Sequence, residues 1–111
     1  MVINQTKNLN SENVDDFIQE DGIVYVSASF CGPCKTLGPI MDDIAREIHP
    51  KIQVGKFIAD ESDENNEWVK SMGIRSVPTL LFYQFGNIIH RVSGSKSQSE
   101  LLDLIKEKYG V

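Results

Sequence analysis

The segment from residue 23 to residue 59 constrains the fold of this chain of 111 residues more than any other. Ile23–Ser29 is rich in β-branched and aromatic residues and predicts a strand. Cys34–Ile48 carries apolar side chains at helical spacing, and Ile52–Ala59 predicts a second buried strand. A strand–helix–strand unit of this kind joins two parallel strands through a right-handed crossover. The sequence therefore predicts an α/β fold.

Further elements are predicted on the N-terminal side of this unit and directly after it. A first helix is predicted over Ser11–Glu20, with Asn10 or Ser11 as its N-cap. A short strand is expected before it, near Val2–Asn4. After the unit, the pattern predicts a short helix over Asn66–Met72 that ends at Gly73, a residue favoured just past a helix.

The C-terminal third predicts a hairpin and a last helix. Thr79–Gln84 and Asn87–Val92 are β-rich and flank Phe85-Gly86, which predicts an antiparallel pair. Ser97–Glu100 has the pattern of a capping box, which opens a helix. The hairpin makes the predicted sheet mixed, with helices on both of its faces. Since no repeat or linker interrupts the pattern, residues 1–111 are predicted to form a single domain.

Charge and hydropathy exclude several classes of function. The net charge is −5 and no basic run occurs, which argues against nucleic-acid binding. No stretch approaches the ~20 apolar residues that span a membrane. Met1–Asp21 lacks the apolar core of a signal peptide, so a cytoplasmic protein is expected. The acidic run Asp60–Glu64 is expected to be a solvated loop or the start of a helix.

The two cysteines, Cys31 and Cys34, lie where a predicted strand ends and a helix begins. The free N–H groups and the dipole of a helix N-terminus favour the thiolate, which is the reactive form of cysteine. Gly32 places no side chain over the thiolate, and Pro33 falls in the first turn, where its missing N–H costs little. We expect Cys31 to be exposed and Cys34 to be covered. Without a cation between the cysteines, the couple is expected to be reducing.

Three other interpretations of the cysteine pair are weaker. A zinc site needs four ligands, and only His49 and His90 could add to the two thiols. No metal site is therefore predicted. A structural disulfide closing so short a loop would restrict the unfolded chain little. Two inert core cysteines would both have to lie at a semi-exposed helix start.

A set of motifs in one order resembles the thioredoxin family over nearly the whole chain. The matching stretches are Cys31–Lys35 followed by Pro39, then Lys56, Gly73–Leu80, Gly86 and Gly94. The resemblance implies the thioredoxin fold, a central mixed sheet of four to five strands flanked by helices on both faces. It also implies that Val77–Pro78 is a cis peptide facing the dithiol. In the family the residue before this proline pairs with an extended substrate chain, and Gly73 and Gly94 match positions that line the groove.

The sequence departs from the family at three positions around the dithiol. Phe30 replaces the usual tryptophan before the first cysteine, and Ser27 replaces a second tryptophan. Tyr25 stands where the family has a buried aspartate that is thought to accept the proton of the second thiol. With a reference pKa of about 10, tyrosine is no base near neutral pH. We therefore expect Tyr25 to be a core aromatic residue with a satisfied hydroxyl, and Lys56 or water to manage the proton.

The resemblance implies a protein disulfide reductase. The Cys31 thiolate attacks a substrate disulfide, Cys34 resolves the mixed disulfide, and a thioredoxin reductase restores the dithiol. Phe30, Gly32 and Pro33 are expected to support the site, and Phe30 is also expected to contact the substrate. The sequence has no nucleotide or flavin fingerprint, so no bound cofactor is expected, and the chain is expected to act as a monomer.

Two alternative functions remain open at the level of sequence. One is a disulfide oxidase or isomerase, against which the Gly-Pro pair argues. The other is a redox-independent binding subunit of a larger assembly, for which the altered surroundings at Phe30 and Tyr25 leave room.

Overall fold

Strands and helices alternate along the chain, as the changes in hydrophobic periodicity predict. The computed structural model describes residues 6–111, so the strand predicted near Val2–Asn4 lies outside the described residues. The elements are, in chain order, β1 (Thr6–Leu9), α1 (Val14–Phe17), β2 (Gly22–Ser27), α2 (Gly32–Ile48), β3 (Gln53–Ile58), α3 (Asp63–Ser71), β4 (Thr79–Gln84), β5 (Asn87–Ser93) and α4 (Gln98–Tyr109).

The strands form one mixed sheet in the order β1-β3-β2-β4-β5. β3 pairs in parallel with both β1 and β2, while β4 runs antiparallel to β2 and β5. The parallel pair joined by α2 and the closing hairpin are therefore both present. β2 lies in the middle of the sheet, and all six of its residues are buried. The predicted fold class, an α/β mixed sheet, is confirmed.

Two apolar cores cover the two faces of the sheet. One is built from α2 and α4, which contribute Leu37, Met41, Leu101 and Ile105. The other is built under α1 and α3, with Phe57 of β3 at its centre and the ring of Trp68 4.5 Å from it. Each fully buried large apolar side chain contributes about 1.5–3 kcal/mol. No helix in residues 6–111 is long and apolar enough to cross a membrane.

The first helix is much shorter than predicted. The sequence predicts Ser11–Glu20, whereas α1 covers only Val14–Phe17, and its N-cap is Asn13. The carboxamide oxygen of Asn10 accepts hydrogen bonds from the backbone N–H groups of Glu12 and Asn13, at 2.8 and 3.0 Å. Asparagine side chains that bond the backbone locally compete with helix formation. The prediction was wrong because it weighed apolar spacing above this competition.

The third helix begins three residues earlier than predicted. α3 starts at Asp63 because the hydroxyl of Ser62 caps it by accepting the N–H of Asn65 at 3.0 Å. The predicted acidic run thus includes a helix start. Gly73 follows the helix with a φ of 71°, the left-handed conformation that favours glycine.

The C-terminal predictions are confirmed closely. Phe85 and Gly86 form a two-residue hairpin turn with φ values of 52° and 81°, as a primed turn requires. The capping box at the start of α4 is complete, because Ser97 and Glu100 each bond the backbone of the other.

Substitution of Gly55 tests the packing of β3 against β1, and substitution of Gly38 tests an open position in α2. A Cβ atom at Gly55 would lie 2.7 Å from Cγ of the buried Leu9, so Gly55→Ala is expected to destabilise the fold by about 1–3 kcal/mol. Gly38, inside α2, has open space around its Cβ position, so Gly38→Ala is expected to stabilise by about 0.5–1 kcal/mol. Urea unfolding of the oxidised proteins measures both changes, and a Gly55→Ala midpoint equal to that of wild type would contradict this packing.

Candidate active site

The redox site begins where the loop after β2 meets α2. Cys31 is the N-cap of α2, with an extended backbone (φ −127°, ψ 107°). Its sulfur accepts the backbone N–H of Cys34 at 3.2 Å, one of the donors that a helix start leaves free. The sulfur therefore lies at the positive end of the helix, where a thiolate is stabilised.

Cys31 and Cys34 are joined by a disulfide, with 5.2 Å between their Cα atoms. Cys31 is 7% exposed and Cys34 4% exposed. The prediction that Cys31 is exposed is therefore wrong for the disulfide form. The reason is that the Cys31 sulfur turns towards the first turn of α2, where it meets both the backbone N–H and the sulfur of Cys34.

The surface beside the disulfide is open. Phe30 is 97% exposed, so its ring projects into solvent instead of covering the sulfurs. No atom lies within 4 Å of the Cβ position of Gly32, and Pro33 occupies the exposed first turn of α2. This side of the dithiol leaves room for an approaching chain.

Two loops from the other half of the sheet lie against this surface. The Val77–Pro78 peptide bond is cis, as the resemblance implies. The N–H of Gly94 donates to the Pro78 carbonyl at 2.9 Å, which joins the loop before β4 to the loop after β5. The hydroxyl of Ser95 lies 3.4 Å from the carbonyl of Pro33. These bonds bring Pro33, Pro78 and Gly94 together.

Gly73 does not share these contacts. The nearest group to its Cβ position is the guanidinium of Arg91, at 4.0 Å. Arg91 also donates to the Met72 carbonyl at 2.8 Å, which ties the end of α3 to β5. Val77 is half-buried against the core under α3. A role of Gly73 in substrate binding stays a prediction.

Tyr25 occupies the centre of β2 beneath the first turn of α2. Its side chain is 1% exposed, and its hydroxyl donates to the carbonyl of Cys34 at 2.7 Å. Burial raises the pKa of Tyr25, so the hydroxyl remains a donor across the pH range in which thiols titrate. The expectation of a core aromatic residue with a satisfied hydroxyl is confirmed.

Lys56 lies beside Tyr25 in the parallel register of β2 and β3. It is half-buried on the face of the sheet that α2 covers, and it lines a cavity that reaches Cys34. The structure thus brings Tyr25, Lys56 and Cys34 together, as the family pattern implies for these positions.

One contact near the site was missed at the level of sequence. The carboxylate of Asp60 accepts hydrogen bonds from the backbone N–H and the hydroxyl of Ser29, both at 3.0 Å. The backbone N–H of Ser29 lowers the pKa of the Asp60 carboxyl. The contact anchors the loop that carries Phe30. The parallel pairing of β2 and β3 could have indicated this contact. Ser27 lies opposite Ile58, so two residues further along each chain Ser29 comes opposite Asp60.

Comparison with known proteins agrees with this geometry. The family model described as Thioredoxin matches residues 5–107. The chain belongs to the thioredoxin family. A thioredoxin of Chlamydia pneumoniae is 38% identical over 103 residues, which cover 91% of this chain and 96% of that protein. A thioredoxin of Pseudomonas aeruginosa is 36% identical over 88 residues, covering 78% and 79% of the two chains.

A plant relative also matches. The chloroplastic M-type thioredoxin of Spinacia oleracea is 33% identical over 110 residues, covering 96% of this chain and 59% of that protein. Like other thioredoxins, the chain is a thiol–disulfide oxidoreductase, and the disulfide between Cys31 and Cys34 agrees with a Cys-x-x-Cys redox centre.

Single-cysteine variants test which sulfur is the nucleophile in this protein. Cys34→Ser is expected to accumulate a stable mixed disulfide with a disulfide substrate through Cys31, because no second thiol remains to resolve it. Cys31→Ser is expected to form little adduct, since its remaining thiol lacks the N-cap position. Mass spectrometry of the quenched reactions measures both. A larger yield of adduct with Cys31→Ser would reverse the assignment.

Proposed function

We propose that this protein reduces disulfides in other proteins, with Cys31 as the nucleophile and Cys34 as the resolving thiol. The observation that carries the assignment is the position of the Cys31 sulfur at the N-cap of α2, beside the open surface around Phe30 and Gly32. A thiolate there is stabilised by the helix terminus and can be reached by a partner.

The reaction has two exchange steps. The Cys31 thiolate attacks one sulfur of the substrate disulfide, and the broken bond leaves its electron pair on the other substrate sulfur, which takes a proton. Cys34 then attacks the Cys31 sulfur. The enzyme disulfide forms, the mixed disulfide breaks, and the second substrate sulfur leaves as a thiol. The substrate gains two electrons and the enzyme dithiol loses them.

The substrate chain is proposed to bind in extended form beside Val77 and Gly94. Strand addition to the backbone at this position would hold the substrate disulfide over Cys31. Support comes from the bond between Gly94 and Pro78, which holds the two loops side by side. Phe30 would add an apolar contact, since its ring is free of protein neighbours on its solvent side.

The cellular setting is also proposed. A thioredoxin reductase would restore the dithiol, and disulfide-containing proteins would be the substrates. The chain would act as one monomeric domain over residues 1–111 without a bound cofactor, and it would bind neither nucleic acid nor membrane. A reducing compartment such as the cytoplasm suits a dithiol reductant. Nothing in the structure favours an oxidase, an isomerase or a redox-independent subunit.

An insulin reduction assay with dithiothreitol as reductant tests the function. Wild type is expected to accelerate precipitation of the reduced insulin chains, and Cys31→Ser is expected to lose this activity. Phe30→Ala is expected to raise KM about threefold to tenfold with kcat little changed, because truncation of one interface aromatic residue costs about 1 kcal/mol or more.

Phe85→Ala is the matched control. Phe85 is also exposed, by 77%, but it lies in the turn between β4 and β5, away from Ser93 and Thr79, which mark the end of the hairpin nearest the site. Its KM is expected to equal that of wild type. If wild type fails to accelerate insulin reduction, the proposed function is wrong. If both phenylalanine variants raise KM equally, the contact assigned to Phe30 is wrong.

A further inference from the structure

A cavity lies beside Cys34 at the junction of α2, β2 and β3. Its volume is about 230 Å³, and its polar lining includes Ser27, Ser29, Lys35 and Lys56 in addition to Cys34. A water molecule needs only about 10–15 Å³ and two to four polar partners. The cavity therefore has room and partners for several waters next to the resolving cysteine.

The charged side chains that line this cavity are both positive. Lys35 of α2 and Lys56 of β3 line it, and no carboxylate among residues 6–111 does. The nearest acidic group in the loop after β3, Asp60, is bound to Ser29. Asp42, further along α2, accepts the hydroxyl of Thr6. An anion that forms in the cavity meets two ammonium groups and no lining acid.

Tyr25 lies beneath Cys34 on β2 and offers it no base. Its hydroxyl is committed as a donor to the carbonyl of Cys34. A phenol that donates in this way and remains protonated cannot take the thiol proton of Cys34 during turnover. Among residues 6–111, the side chains that line the cavity beside Cys34 therefore supply positive charge and hydrogen-bond donors, but no carboxylate; Asp42 acts on Tyr25 electrostatically and does not line the cavity.

We propose that the proton of the Cys34 thiol leaves through water held in this cavity, and that Lys56 acts as a positioning residue whose charge stabilises the resulting thiolate. This inference rests on the proposed function, in which Cys34 resolves the mixed disulfide. The thiol gives its proton to a cavity water and thence to solvent. The Cys34 sulfur then forms its bond to the Cys31 sulfur, and the electron pair of the mixed disulfide leaves on the substrate sulfur.

The two exchange steps can be followed separately with an aromatic disulfide. When reduced protein is mixed with equimolar 5,5′-dithiobis(2-nitrobenzoate), the first coloured thiolate reports attack by Cys31. The second reports resolution by Cys34. Stopped-flow absorbance between about pH 5 and pH 9 gives both rates and their pH midpoints. Cys34→Ser has no resolving thiol, so its absorbance change calibrates the release of the first thiolate alone.

Lys56→Met is expected to slow the second release about threefold to tenfold at pH 7 and to move its midpoint to higher pH, because one pKa unit is a tenfold change in thiolate. The first release is expected to change less than twofold. Lys56→Arg is expected to retain the wild-type midpoint, since it keeps the charge. Lys7→Met, which removes an exposed lysine from β1, is the matched control and is expected to change neither phase.

Several results would overturn the inference. It is wrong if Lys56→Met leaves the second release unchanged, or if Lys56→Arg slows it as much as Lys56→Met does. It is also wrong if Tyr25→Phe shifts the pH midpoint as far as Lys56→Met, because Tyr25 would then take part in the proton transfer. Failure of the proposed function has a different signature, in which wild type shows no second release at all.

Discussion

The bond between the Cys31 sulfur and the backbone N–H of Cys34 is the interaction on which the redox site depends. It places the first cysteine at the N-cap of α2, where the helix has donors without partners. The second cysteine lies one turn later on the same side, so the two sulfurs meet. The loop that leads to Cys31 is anchored by Asp60, and the carbonyl of Cys34 is held from below by Tyr25.

The topology of the sheet brings the other parts of the site to the same edge. β2 and β3 are parallel, so both end at the edge where α2 begins. β4 is antiparallel to β2 and starts there, with Thr79 paired to Val26, and β5 ends there, with Ser93 opposite Thr79. Pro78 and Gly94 flank these two strands, which explains why residues far apart in sequence meet beside the first turn of α2.

Hydrophobic periodicity predicted the elements that bury an apolar face in the core of the protein. The fully buried β2, the long amphipathic α2 and the hairpin around Phe85-Gly86 were all found from sequence. The extent of α1 was not, because Asn10 bonds the backbone locally and the apolar spacing gives no sign of it. The start of α3 was also misplaced, because the cap formed by the Ser62 hydroxyl was not recognised in the acidic run.

The candidate site was predictable in its residues but only partly in its contacts. The spacing of Cys31 and Cys34 predicted the disulfide pair, and family resemblance predicted the cis bond before Pro78. The partner of Tyr25 was not predictable, because the acceptor is a backbone carbonyl whose position depends on how α2 packs. The burial of Cys31 depends on the direction of its sulfur, which sequence does not specify.

The central claim is that this dithiol is a reductant, and its midpoint potential tests that claim most directly. The protein would be equilibrated with graded ratios of reduced and oxidised dithiothreitol and, separately, of glutathione and its disulfide. The fraction of Cys31–Cys34 disulfide would be measured by mass spectrometry after acid quenching and alkylation. The account predicts a midpoint more negative than that of the glutathione couple, since no side-chain cation lies between the cysteines to favour the thiolate. A midpoint more positive than that of glutathione would identify an oxidant and contradict the account.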